Sequence, residues 1–233
     1  VIVFISDLHL GSVFSNVALL SIFLKGIKKE TETLYLVGDI FDIWKSDVTS
    51  DCFSSLFEGF EQIVYVLGNH DCLFKNLMFL TPQIKEKDIL TFSGNKFLIC
   101  HGHYFDSDFG KTSLFNTFAD KFLYQFSKLI NVDIRSKLHF FTEWYYNRHF
   151  FEKEKIIREK QIPDNFQYLI TGHTHCPGEK EIDNLKLFNL GSWINNPHAF
   201  FLKGEQYAFI PITKEKLLPE KEDFKNLRGY RET

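Results

Sequence analysis

Apolar and polar positions follow two periods along this chain. Val1–Ile5, Leu34–Val37, Ile63–Leu67, Phe97–Cys100 and Tyr168–Thr171 are unbroken apolar runs of four or five residues, rich in Val, Ile, Leu, Phe and Tyr. Runs of that length and composition predict buried strands. The pattern continues at Leu187–Leu190 and Tyr207–Ile212. After the first run, Val17, Leu20, Phe23, Leu24 and Ile27 fall on one face of a helix that ends in the polar stretch before Leu34. A less regular helical segment from Asp51 to Phe60 precedes the third run. Strand and helix therefore alternate over the first hundred residues, which predicts an α/β fold.

The alternation breaks between Lys111 and Lys160, where no strand pattern and no Gly or Pro intervenes. Phe115, Phe118, Phe122, Phe126 and Leu129 form one helical stripe, and Asn131-Val132-Asp133 turns the chain and caps a second helix. On that second helix Ile134, Leu138, Phe141 and Tyr145 share one face, and Phe140, Trp144 and Phe151 another. A helix apolar on two faces needs two surfaces to bury against. The expected organisation is a core from 1–110 and 161–213, a helical hairpin cap inserted at 111–160, and a charged, peripheral tail at 214–233.

Composition narrows the function classes. A net charge of -3 argues against a nucleic-acid binder working through bulk electrostatics. Cys52, Cys72, Cys100 and Cys176 are scattered without a C-x-x-C pair, which predicts reduced thiols and neither a zinc–thiolate site nor a disulfide framework. No apolar stretch approaches the roughly 20 residues that span a bilayer. The chain opens directly in a strand pattern without a basic region and cleavable apolar segment, so a cytoplasmic location is expected. Aromatic content is the outlier: fifteen aromatic residues crowd between Tyr104 and Phe151.

Each of the five strand runs ends in residues that bind metals. Asp7-Leu8-His9 follows the first, Gly38-Asp39-Ile40-Phe41-Asp42 the second and Gly68-Asn69-His70-Asp71 the third. His101-Gly102-His103 follows the fourth, and Gly172-His173-Thr174-His175 the fifth. Carboxylate, amide and imidazole groups beyond strand C-termini lie where α/β sheets build their sites. Two divalent cations about 3.5–4 Å apart clamp both the attacking and the leaving oxygen of a phosphoryl displacement. Asp7 and His9 can reach one cation, Asp39 suits the bridge, Asn69, His101 and His173 suit the second cation, and His175 turns back to the first. Mixed N/O ligation without thiolate favours Mn²⁺, Fe or Mg²⁺, with Zn²⁺ an alternative; Mn²⁺ is the expected pair of ions. Cys72 and Cys176 beside these motifs read as packing residues.

Asp-x-His, Gly-Asp-x-x-Asp, Gly-Asn-His-Asp, His-Gly-His and Gly-His-Thr-His, in this order over residues 1 to about 195, resemble the signature of the calcineurin-like metallophosphoesterases. The resemblance implies a four-layer α/β/β/α sandwich with a dinuclear site at the sheet ends. It implies a metal-bridging hydroxide as nucleophile and His70 as a phosphate contact or general acid. Asp42 or Asp71 would orient that imidazole and hold it protonated.

Gly38-Asp39-Ile40-Phe41-Asp42-Ile43-Trp44 is similar to a stretch of the UDP-2,3-diacylglucosamine hydrolases of lipid A synthesis, which also carry a helical cap between the fourth and fifth motifs. That likeness implies cleavage of a lipid-linked nucleotide sugar to UMP and a diacylated glucosamine phosphate, at the cytoplasmic face of the inner membrane. Phe141 and Trp144 would then face acyl chains, and His103 the substrate. The best-known lipid A enzymes have Arg at the position of His70 and Asp at that of His103, which leaves Arg135 or Arg148 to supply the phosphate contacts. Two other readings stay open: a phosphodiesterase or phosphatase for soluble nucleotides, with the cap as lid or dimer contact, and a metal-stabilised scaffold. Asn189-Leu190-Gly191-Ser192-Trp193 resembles the family's last strand and loop, with Trp193 as a core residue the plainer reading.

Overall fold

The computed structural model describes residues 1–12, 15–41, 50–71, 83–105, 162–163 and 165–228. The expected cap at 111–160, with Arg135, Phe141, Trp144 and Arg148, lies outside the described residues, as does Asp42. The elements run β1 (Ile2–Ile5), α1 (Val17–Ile27), β2 (Thr33–Val37), α2 (Ser50–Phe57), β3 (Gln62–Val66), β4 (Gln83–Lys85), β5 (Lys87–Phe92) and β6 (Asn95–Cys100). They continue with β7 (Tyr168–Thr171), β8 (Gly178–Ile182), β9 (Leu185–Asn189), β10 (Gly191–Ser192), β11 (Asn196–Lys203), β12 (Gln206–Pro211) and β13 (Lys225–Asn226).

These strands form two sheets in an α/β sandwich. One has the order β13-β12-β11-β1-β2-β3-β4, with β10 paired to β11, and the other the order β5-β6-β7-β9-β8. Strands β1, β2 and β3 are parallel, and so are β6, β7 and β9. All six C-termini therefore deliver their loops in parallel within each sheet, as a shared site requires.

The alternation of side chains along a strand splits each apolar run between two cores. Phe4, Tyr35, Val37, Val64 and Val66 meet Phe97, Ile99, Tyr168, Ile170 and Phe188 between the sheets. Their neighbours Val3, Ile5, Leu34, Leu36 and Tyr65 pack outward against Leu20, Phe23, Leu24 and Ile27 of α1. On the outer face of the second sheet, Cys100, Leu169 and Leu187 form a third cluster. Among the described residues this gives three layers: helices, sheet and sheet.

Helix α1 begins at Asn16, whose side chain accepts the Leu19 N–H at 3.1 Å. Val17, expected on the buried face, is 38% exposed, and Leu19 takes its place. As the first helical residue, Val17 lies ahead of the turns that cross the sheet. The tail also differs from expectation. Leu217 and Phe224 pack against the core, and Lys225–Asn226 adds an antiparallel edge strand to β12. Charged residues are usual on such an edge, where they discourage further strand pairing.

Candidate metal centre

At the C-terminal ends of these strands the chain adopts backbone that most residues avoid. Seven non-glycine residues among those described have left-handed φ, and five of them are Asp7 (53°), His9 (48°), Asp39 (51°), His173 (73°) and His175 (59°). Each such residue costs about 1–3 kcal/mol and persists only where its surroundings over-determine it. Strain collected on five expected metal donors marks the place as functional.

The donors gather in two groups. Asp7, His9 and His175 form one, and Asp39, His101 and His173 the other, with the donor atoms of each group within 4.8 Å of one another. In the first, Nε2 of His9 lies 3.0 Å from Nε2 of His175, which lies 3.2 Å from Oδ1 of Asp7. In the second, Nε2 of His101 lies 3.2 Å from Oδ2 of Asp39. Donors about 2.1 Å from one ion stand roughly 3–3.5 Å apart, the spacing of the His9–His175, Asp7–His175 and Asp39–His101 pairs, while His9 and Asp7 are 3.9 Å apart. The Oδ1 atom of Asn69 gives an independent indication, being buried with no hydrogen-bond partner among the described residues. Leaving such an oxygen unpaired is costly unless a ligand meets it.

The two groups interlock. The His173 N–H donates to Oδ2 of Asp7 at 3.1 Å, and the His70 N–H to Oδ1 of Asp39 at 2.8 Å. The Ser6 hydroxyl lies between the Asp7 carboxylate and the Val37 carbonyl. Gly38, at φ 81°, must lack a side chain because a Cβ there would overlap the His101 ring.

Charge within the centre follows from burial and pairing. Burial raises the pKa of Asp39, but the imidazoles of His101 and His70 outweigh it and hold the carboxyl well below its ordinary range. Burial likewise opposes charge on His101, yet Asp39 and then Asp7 push it up to about 10. In the metal-free protein that pair is an imidazolium and a carboxylate, so binding a cation must displace a proton. His103 goes the other way: burial, then His101 and His173, push it down to about 3.

The remaining expected residues take distinct places. His70 stands at the open edge, its side chain 19% exposed and its Nε2 3.9 Å from Oδ2 of Asp39, with its ring edge-on to His9. His103 is 1% exposed, covered by Tyr104 and beside the rings of His101 and His173. Asp71, expected beside the His70 imidazole, is turned to the main chain instead. Its Oδ2 accepts the N–H groups of Asp39 (2.7 Å) and Gly68 (2.9 Å), and its Oδ1 those of Ile40 (3.2 Å) and Phe41 (3.3 Å). Four buried donors at the ends of β2 and β3 need acceptors, and a carboxylate is the one side chain that satisfies all four. Ser6, Asn189 and Ser192 brace the site as well; Asn189 and Ser192 fall in the stretch that resembles the family's last strand and loop, and the signal for Ser6 was a polar residue beside a motif at the end of a strand run. Trp193 is fully buried against Phe23. Cys176 is buried too, its thiol donating to the Thr174 carbonyl.

Two trios of mixed nitrogen and oxygen donors at the mouth of a two-sheet sandwich are two candidate sites for divalent cations. Residues 1–210 match the calcineurin-like phosphoesterase superfamily domain, and the chain belongs to that family. It is a metal-dependent phosphoester hydrolase. Among curated proteins it is similar to the UDP-2,3-diacylglucosamine hydrolase of Neisseria meningitidis serogroup A, 26% identical over 249 residues, covering 91% of this chain and 98% of that one. The protein of the same name from Haemophilus influenzae strain PittGG is 26% identical over 236 residues, with the same two coverages. Among solved structures, Yfce, a phosphoesterase from E. coli, shares the fold at a TM-score of 0.53 and 16% identity, covering 92% of this chain and 94% of its own.

Proposed function

We propose that this protein hydrolyses the pyrophosphate of UDP-2,3-diacylglucosamine, adding water to release UMP and 2,3-diacylglucosamine 1-phosphate in lipid A synthesis. The observation that carries the reading is the end-to-end similarity to curated relatives of that name, 91% of this chain against 98% of theirs. In this reading residues 111–160 form a helical cap, with Phe141 and Trp144 sheltering acyl chains and Arg135 or Arg148 contacting phosphate. Each CH₂ removed from water contributes roughly 0.8 kcal/mol, enough to draw a lipid from a bilayer into an apolar groove. The protein then works in the cytoplasm against the inner face of the membrane; among the described residues no helix is long and apolar enough to cross it.

Asp7, His9 and His175 would hold one cation, and Asp39, His101 and His173, with Asn69, the other, Mn²⁺ being the ion that suits this donor set. Such a pair lowers the pKa of water and offsets charge on the phosphoryl oxygens. His70 stands at the open edge, placed to hold a proton and donate a hydrogen bond to a phosphoryl or leaving-group oxygen. Asp71 fixes the main chain that carries Asp39, and His103 walls the second trio from behind.

A second reading, a phosphodiesterase for soluble nucleotides, is favoured by His70 and His103, which stand where the best-known lipid A enzymes have Arg and Asp. Assaying UMP release from the diacylated nucleotide sugar with Mn²⁺, beside bis-nitrophenyl phosphate, separates the two. Preference for the nucleotide sugar is the expected result; preference for the nitrophenyl diester would overturn it. Turnover of neither would favour a scaffold.

A further inference from the structure

Asn189 ends β9 fully buried and belongs to none of the motifs that supply metal donors. Its Nδ2 donates to the Gly172 carbonyl at 2.6 Å and to the Thr174 hydroxyl at 3.1 Å, while its Oδ1 accepts the Gly191 N–H at 3.0 Å. A longer contact reaches the Thr171 hydroxyl at 3.4 Å. Gly172 and Thr174 enclose His173 on both sides, and Thr174 separates it from His175. These two imidazoles belong to different trios, and both sit on left-handed backbone. The same segment also reaches Asp7, whose carbonyl accepts from the Ser192 hydroxyl at 3.3 Å and from the Trp193 N–H at 3.1 Å. One buried strap, residues 189–193, thus ties down donors of both trios.

We propose that Asn189 is a positioning residue of the metal centre. Its side-chain amide holds residues 172–175 in the strained turn that aims His173 and His175 at two different cations, and so sets the affinity for both. A short amide is the side chain that offers one acceptor and two donors at this spot. The proposal rests on the two-cation centre and is independent of which phosphoester is cleaved.

Asn189→Asp keeps the shape and the acceptor and removes both donors; Thr174→Val removes one acceptor and leaves Asn189 in place. Chelator-stripped wild type and variants are titrated with Mn²⁺ by calorimetry, with circular dichroism to establish folding. Asn189→Asp is expected to bind Mn²⁺ about 10- to 100-fold more weakly, and Thr174→Val about 2- to 10-fold more weakly. Hydrolysis is expected to return at saturating Mn²⁺ with an unchanged KM for the phosphoester. Wild-type affinity in folded variants, or lost activity that saturating Mn²⁺ does not restore, would overturn the proposal. If Asn189→Asp does not fold, Thr174→Val decides by the same readouts. A stripped wild-type protein that takes up no Mn²⁺ would overturn the metal centre itself, and the positioning role with it.

Discussion

Replacing Asp71 by Asn tests whether the metal centre is held by its main chain as tightly as the geometry implies. The Asp71 carboxylate is 1% exposed and accepts four backbone N–H groups, from Asp39, Ile40, Phe41 and Gly68. An amide of the same shape has one oxygen, so its NH₂ must face two of those donors. The oxygen will keep the shorter pair, at 2.7 and 2.9 Å, so the Ile40 and Phe41 N–H groups lose their bonds to residue 71. Each hydrogen bond to a charged acceptor contributes about 1.5–3 kcal/mol, and the long distances place these two at the low end. A loss of about 3 kcal/mol results. Burial first, and then the Asp39 carboxylate, raise the pKa of Asp71; removing its charge relieves that repulsion and trims the loss to about 2 kcal/mol. Urea denaturation of the metal-free variant against wild type measures the difference. Freeing Asp39 from its left-handed turn should also weaken Mn²⁺ binding about 10-fold or more. Stability within about 0.5 kcal/mol of wild type, with unchanged Mn²⁺ affinity, would refute this account of Asp71.

Gly68→Ala should sharply reduce activity, because a Cβ there would overlap the carboxylate and main-chain nitrogen of Asp39; near-wild-type turnover would contradict the packing. Asp39→Ala should abolish metal-dependent hydrolysis while the protein still unfolds cooperatively, and chelation of wild type should do the same reversibly, both followed by phosphate ester assay. The Asp39–His101 pair makes the metal-free protein sensitive to pH. His101 has a folded pKa of about 10 against an ordinary 6.5, so its contribution is full below 6.5 and is lost as pH rises through 10. That of Asp39, whose pKa is lowered, is present above 3.8 and lost only in stronger acid. Thermal unfolding should therefore show falling stability from pH 6.5 to 10 without metal. Calorimetry in buffers of differing ionisation enthalpy should detect proton release on Mn²⁺ binding at pH 7, and binding without release would refute the charged pair.

Much of this protein is determined locally. Tyr168–Thr171 is a strand with the bounds its apolar run predicts, and β1, β2, β3 and β6 lie within two residues of theirs. A strand buried on both faces must be apolar throughout, so its own side chains declare it. The candidate metal donors that the fold gathers are equally legible, since cations demand particular atoms, and the strand ends that carry them are marked by the runs. What the tertiary structure decided are the pieces whose state depends on a neighbour. β5 and β8 alternate more and less exposed residues and β13 is exposed throughout, and they are strands because β6, β9 and β12 offer hydrogen-bond partners. The acceptor role of Asp71 and the grip of Asn189 on the His173 loop depend on main-chain groups from distant strands. A sequence shows which side chains can accept or donate; only the fold brings up the unpaired N–H and C=O groups that they must satisfy.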